Sequence, residues 1–226
     1  MNPLPRRTFL GLGLGFVAAG SNLNAAPAAG APPAGEAPTG KEELFKIKKV
    51  EIATQKAPDF TLKGGTTDKR WKAKDWIEMD FEIDVKPPKA DRDLKFYDTI
   101  SIKYYAFLIP TDPKKQKVLT VEVNYVNIPV DEVIHTVVYL SNSTIVNITG
   151  DKNVDKGLIK FYGAEVTYKG ILAGQYASSK IGNLPWWKSD KTPALEEGRL
   201  LPKGKTPFAP LWFDHYMEEK YEGGAK

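Results

Sequence analysis

Cysteine is absent from this 226-residue chain. Its absence excludes disulfide staples, thiolate metal centres, a cysteine nucleophile and a lipid-anchored cysteine. Histidine is nearly as scarce: only His135 and His215 occur. His135 lies among Ile134, Thr136 and Val137 and reads as a structural histidine in mid-strand. His215 adjoins Asp214, and sequence neighbours rarely face each other as a catalytic dyad. No Gly-x-Ser-x-Gly elbow and no His-Glu-x-x-His is present. Gly204-Lys205-Thr206 ends like a phosphate loop, yet Arg199 stands where the leading glycine belongs, and Pro202 and Pro207 prevent a helix from starting there. The expectation is no catalytic residue, no metal and no cofactor, hence a protein that is not an enzyme.

Long apolar runs and blocks of like charge are also missing. The uncharged stretch rich in Leu, Gly and Phe, residues 8–19, is twelve residues and too short to cross a bilayer as a helix. The formal charge of +4 becomes +3 without Arg6, Arg7 and Glu36, a balance that offers no electrostatic capture of nucleic acid or of an anionic membrane. No internal repeat is visible.

What is there begins with an export signal. Arg6 and Arg7 precede the short apolar stretch, and Arg6-Arg7-Thr8-Phe9-Leu10 resembles the twin-arginine motif, although Pro5 departs from it; an ordinary Sec signal is the alternative. Small residues near 20 and 25 offer cleavage points, giving a signal peptide over 1–25. Residues 26–40 are nearly all Ala, Pro and Gly and read as a linker. The reading therefore places the protein outside the cytoplasm: periplasm, outer-membrane surface or extracellular space.

Residues 41–180 carry the pattern of an antiparallel β-sandwich. Ile77, Met79, Phe81, Ile83 and Val85 alternate with Glu78, Asp80, Glu82 and Asp84, which is period two. Ile100, Ile102, Tyr104, Ala106 and Leu108 form a second such face, and Leu119, Val121, Val123 and Tyr125 a third. Residues 133–140 read as a central strand. Further strands are expected over 44–52, 144–148, 158–162 and 164–168, separated by Pro- and Gly-containing turns. This predicts an all-β, immunoglobulin-like sandwich. Residues 181–226 are rich in proline and aromatics without period. They read as an arm wrapped over the sandwich, with an exposed partner-binding strip as the alternative, and residues 214–221 as a short closing helix.

Two features are candidates for a partner surface. One is the acidic ladder Glu78, Asp80, Glu82 and Asp84, expected to be a solvated face paired with bases such as Lys95 and Lys103. Same-face rungs lie about 6.8 Å apart, so four carboxylates cannot surround one Ca²⁺. The other is Trp186, Trp187 and Trp212, which would serve a glycan only if their rings are exposed.

The segments at 76–82, 98–108, 121–129 and Lys205-Thr206-Pro207-Phe208-Ala209 resemble a family of immunoglobulin-like secreted proteins of verrucomicrobial bacteria, with a member in Akkermansia muciniphila encoded among type IV pilus-like genes. The resemblance implies an extracytoplasmic immunoglobulin-like domain with envelope or pilus-like partners, itself included. The function expected is a structural or adhesive module of the cell envelope. A carbohydrate-binding or glycan-processing module is the alternative.

Overall fold

Alternating apolar and acidic side chains give strand β2 (Asp75–Val85) two unlike faces. The computed structural model, which describes residues 42–60 and 72–221, buries Ile77, Met79, Phe81, Ile83 and Val85 completely. The expected signal and linker lie outside the described residues. β2 sits between β1 (Phe45–Lys56) and β5 (Val133–Leu140), and β11 (Leu200–Pro202) completes an antiparallel four-stranded sheet in the order β1-β2-β5-β11. The facing sheet has the order β10-β4-β3-β6-β7, built from β3 (Phe96–Leu108), β4 (Val118–Pro129), β6 (Ile159–Tyr168), β7 (Ile171–Ala177) and β10 (Leu195–Glu197). All its pairings are antiparallel except that of β10 with β4. A two-residue ladder, β8 (Lys180–Ile181) with β9 (Leu184–Pro185), opens the arm. The all-β sandwich expected from the sequence is present.

The core lies between the inner faces. Phe81 of one sheet meets Tyr104 of the other edge-on, with ring centroids 5.0 Å apart. The Tyr104 and Tyr125 hydroxyls are 3.0 Å apart inside this core. Burial pushes both hydroxyls well above the usual tyrosine range, so each stays protonated and each supplies the other's hydrogen-bond partner. An unpaired buried hydroxyl would cost about 1–3 kcal/mol.

Two seams close the sandwich. On one side the Leu44 amide donates to the Ala173 carbonyl at 2.8 Å. There the backbones run so close that a Cβ on Gly174 would lie 2.1 Å from the Phe45 carbonyl oxygen, so only glycine fits. On the other side the arm's last described stretch bonds to both sheets. The Met217 amide donates to His135 of β5 at 2.9 Å. The Val126 amide of β4 donates to the Glu218 carbonyl at 3.0 Å, and the Lys220 amide to Asn124 at 2.7 Å.

The sequence pattern needs four corrections. Residues 144–148 are not a strand: they lie in helix α1 (Asn142–Thr149), capped by the Ser141 hydroxyl, which accepts from the Thr144 amide, and ended by Gly150 at φ 71°. The caps and the burial of Ile145 outweigh the β-branched residues of this stretch. The two strands expected over 158–162 and 164–168 are one, β6, continuous through Gly163. β7 was not foreseen, since Ala173 and Gly174 dilute its pattern. Finally, residues 214–221 form no helix; they run as the strap just described, bridging Tyr125 through Glu219 and His135 through Tyr216.

Candidate functional site

On the outer face of the four-stranded sheet, register places Glu78 beside Tyr139, Asp80 beside Val137 and Glu82 beside His135. The acidic ladder is therefore not an open solvated face. Glu78 is buried; it accepts from the Tyr139 hydroxyl at 2.7 Å and from Gln55 Nε2 at 3.2 Å. Burial, followed by the Glu78 carboxylate, drives the Tyr139 hydroxyl far above its ordinary range. Asp84 pairs with Lys48 at 3.3 Å, across the register shift in β1. The bases expected opposite the ladder do not pair with it: Lys103 lies on the other sheet, 4.0 Å from Glu197, and no ladder contact involves Lys95.

Asp80 differs from its neighbours. Its Oδ1 lies 3.0 Å from His135 Nδ1, its Oδ2 lies 3.7 Å from His215 Nε2, and the Tyr216 hydroxyl donates to Oδ2 at 3.4 Å. The two imidazoles stack at 4.3 Å with 29° between planes. One ligand atom from each of Asp80, His135 and His215 falls within 4.8 Å of the other two. The chain's only two histidines thus meet on one carboxylate. His135 comes from β5 and His215 from the arm, which crosses this face by stacking Phe208 on Tyr139 at 4.6 Å and 7°. Phe208 is buried there.

The arm also crosses the other sheet. Trp187 lies flat on Tyr105, centroids 4.4 Å apart and planes 10° apart. Gly163 makes the room, since a Cβ on it would stand 2.3 Å from the Trp187 ring. Trp186 donates its indole N–H to the Tyr162 carbonyl at 3.2 Å. Beneath them Glu165 accepts from Tyr105 and from Gln175, each at 2.7 Å, and pairs with Lys188. Burial works to raise this carboxyl, but the Lys188 and Tyr105 bonds outweigh it and hold it below the usual carboxylate range. Near the strap, Glu219 accepts from the Gly204 amide at 3.1 Å, and burial raises its carboxyl. Burial likewise lowers the Lys203 ammonium, which donates to the Ala209 carbonyl at 2.9 Å.

With this geometry, a protein-family model matches residues 37–223. A crystal structure of a protein from Akkermansia muciniphila is similar at a TM-score of 0.66 and 28% identity, over 79% of this chain and 94% of that one. The chain belongs to this immunoglobulin-like family. None of the curated proteins matches the chain. Among the described residues, no helix is long and apolar enough to cross a membrane.

For this family member the seven candidate surface residues divide sharply. Trp186 and Trp187 are buried, as a wrapping arm requires. Trp212 is not: it is 45% exposed beside Phe213 at 74%, with its backbone at φ 52°. Asp80 joins a three-residue cluster, Glu78 and Asp84 are held in separate contacts, and Glu82 stands between Lys49 and His135 in the register. Sequence reasoning missed that cluster. The nearest signal was the scarcity of histidine itself, because two histidines cannot advertise a site through spacing when the third ligand lies on another strand.

Proposed function

We propose that this protein is a non-enzymatic structural or adhesive module of the bacterial cell envelope, exported through its N-terminal signal and docking within a pilus-like or outer-membrane assembly. The observation that carries the reading is the arm. It covers both sheet faces with buried aromatics, and the sheet carboxylates beneath it are engaged in contacts that hold the fold rather than converging on an open cleft. Among the apolar side chains that the arm leaves exposed, Trp212 and Phe213 are consecutive, an aromatic contact of the kind that anchors protein partners. Family membership and the pilus-like gene setting of the resemblance support the same reading.

The carbohydrate alternative retains one ring. A glycan platform needs flat, accessible aromatic faces, and of the three tryptophans only Trp212 offers one.

The test is in cells of the source organism. Trp212→Ser and Phe213→Ser together should release the protein from the envelope fraction and remove its cross-links to envelope proteins, while circular dichroism stays that of the parent. Unchanged cross-links would sink the docking role. Loss of binding to specific glycans on an array, with cross-links intact, would favour the carbohydrate reading instead.

A further inference from the structure

The geometry points to a transition-metal site at Asp80, His135 and His215, and we propose that a Zn²⁺-class ion held there fastens the C-terminal arm to the four-stranded sheet. Two imidazoles and a carboxylate are a donor set suited to Zn²⁺ and to Cu²⁺ or Ni²⁺, and poorly suited to Ca²⁺ or Mg²⁺, which take oxygen ligands. Tetrahedral Zn²⁺ with bonds of about 2.0–2.2 Å sets its ligand atoms roughly 3.3–3.5 Å apart. His135 Nδ1 lies 3.0 Å from Asp80 Oδ1 and His215 Nε2 3.7 Å from Asp80 Oδ2, and one ligand atom from each of the three residues falls within 4.8 Å of the others, so the set must draw together to reach that value. The stacked rings must fan apart to aim their lone pairs at one point. His215 can do so, because its side chain is 50% exposed and sits on the arm.

The surroundings are acidic, with Lys49, which pairs with Glu51 and lies opposite Glu82, as the base among them. Register places Glu51 of β1 opposite Asp80 and Glu82 of β2 opposite His135. The Tyr216 hydroxyl, 3.4 Å from Asp80 Oδ2, is placed to orient the ligating carboxylate from behind, the outer-shell arrangement that metal sites use. The ligands come from two sheet strands and the arm. Binding therefore adds a tie to an arm already fastened to this sheet by the β11–β5 ladder, the Met217–His135 and Tyr216–Asp80 bonds and ring stacking. The fourth position faces solvent through His215 and is filled by water or by a donor from a docking partner.

The test uses the full chain purified without a histidine tag, titrated with Zn²⁺ alone. Because the chain holds only two histidines, its ¹⁵N imidazole spectrum contains two spin systems, and both must shift together and saturate at one equivalent. Melting temperature should rise by several degrees at a hundredfold excess over Kd. His215→Gln, a half-exposed position whose loss leaves the sandwich intact, should keep the metal-free melting temperature and weaken Zn²⁺ binding on the order of 100-fold or more. Asp80→Asn should do the same to binding. Imidazole signals that Zn²⁺ leaves unmoved would overturn the proposal. So would undiminished binding in His215→Gln, or a stabilisation by Ca²⁺ equal to that by Zn²⁺, which would assign the ion to the carboxylates.

Discussion

Removing the Trp187 ring tests whether the arm contributes to stability or merely lies on the surface. Trp187 is 7% exposed and stacked on Tyr105 in the notch over Gly163. An indole buries roughly 200 Å², worth ~5 kcal/mol at about 25 cal/mol per Å². Against this, its N–H is buried without a protein partner among the described residues, an offset of about 1–3 kcal/mol. Trp187→Ala should therefore destabilise by about 3 kcal/mol. For a domain of this size that lowers the melting temperature by roughly 6–12 °C. Trp187→Phe keeps a ring on Tyr105 and discards the unpartnered N–H, so its cost should be about 1 kcal/mol or less. Urea unfolding, followed by circular dichroism so that the lost fluorophore does not matter, measures both. A Trp187→Ala protein within about 1 kcal/mol of the parent would refute the reasoning. So would a Trp187→Phe protein as unstable as Trp187→Ala.

Two further outcomes follow from the packing and the charges. Gly174→Ala puts a methyl 2.1 Å from the Phe45 carbonyl oxygen; backbone on both sides must move, so a loss of about 1–3 kcal/mol is expected, read as a lower urea midpoint with unchanged slope. Glu165→Gln should cost about 1–3 kcal/mol at pH 7, the scale of hydrogen bonds to a charged group. Because the folded carboxyl is held below its ordinary value, its stabilisation is present above the unfolded pKa and lost as pH falls through the folded one. The gap between parent and variant should thus narrow below about pH 4, and a gap that widens there would contradict the assignment.

How legible this was from sequence depended on whether a signal was local. In β2, the faces were readable because Ile77 to Val85 alternate with acids, and one face had to be core. In α1 the local chemistry misled: Thr144, Ile145, Val146, Ile148 and Thr149 favour strands, and only the caps at Ser141 and Gly150 mark a helix. The arm's burial was foreseeable from its apolar content. Which sheet each aromatic covers was not, because Trp187 on Tyr105 and Phe208 on Tyr139 are long-range contacts set by topology. The same holds for Asp80, His135 and His215, which meet only because β2 pairs with β5 and the arm returns across both.

The strap over residues 216–220 has a consequence for aggregation. It occupies amide and carbonyl groups along the stretches of β4 and β5 that β10 and β11 leave unpaired, and unpaired strand edges are templates for pairing with other chains. The strap is also the last stretch of the described chain to be synthesised. Until it arrives, a folding sandwich carries two partly unpaired edges on the same side. A chain cut short before residue 216, or one whose strap peels away, presents both edges together, and self-association through added strands becomes its characteristic failure. The arm is thus a guard on the sandwich's solubility as well as a cover for its faces.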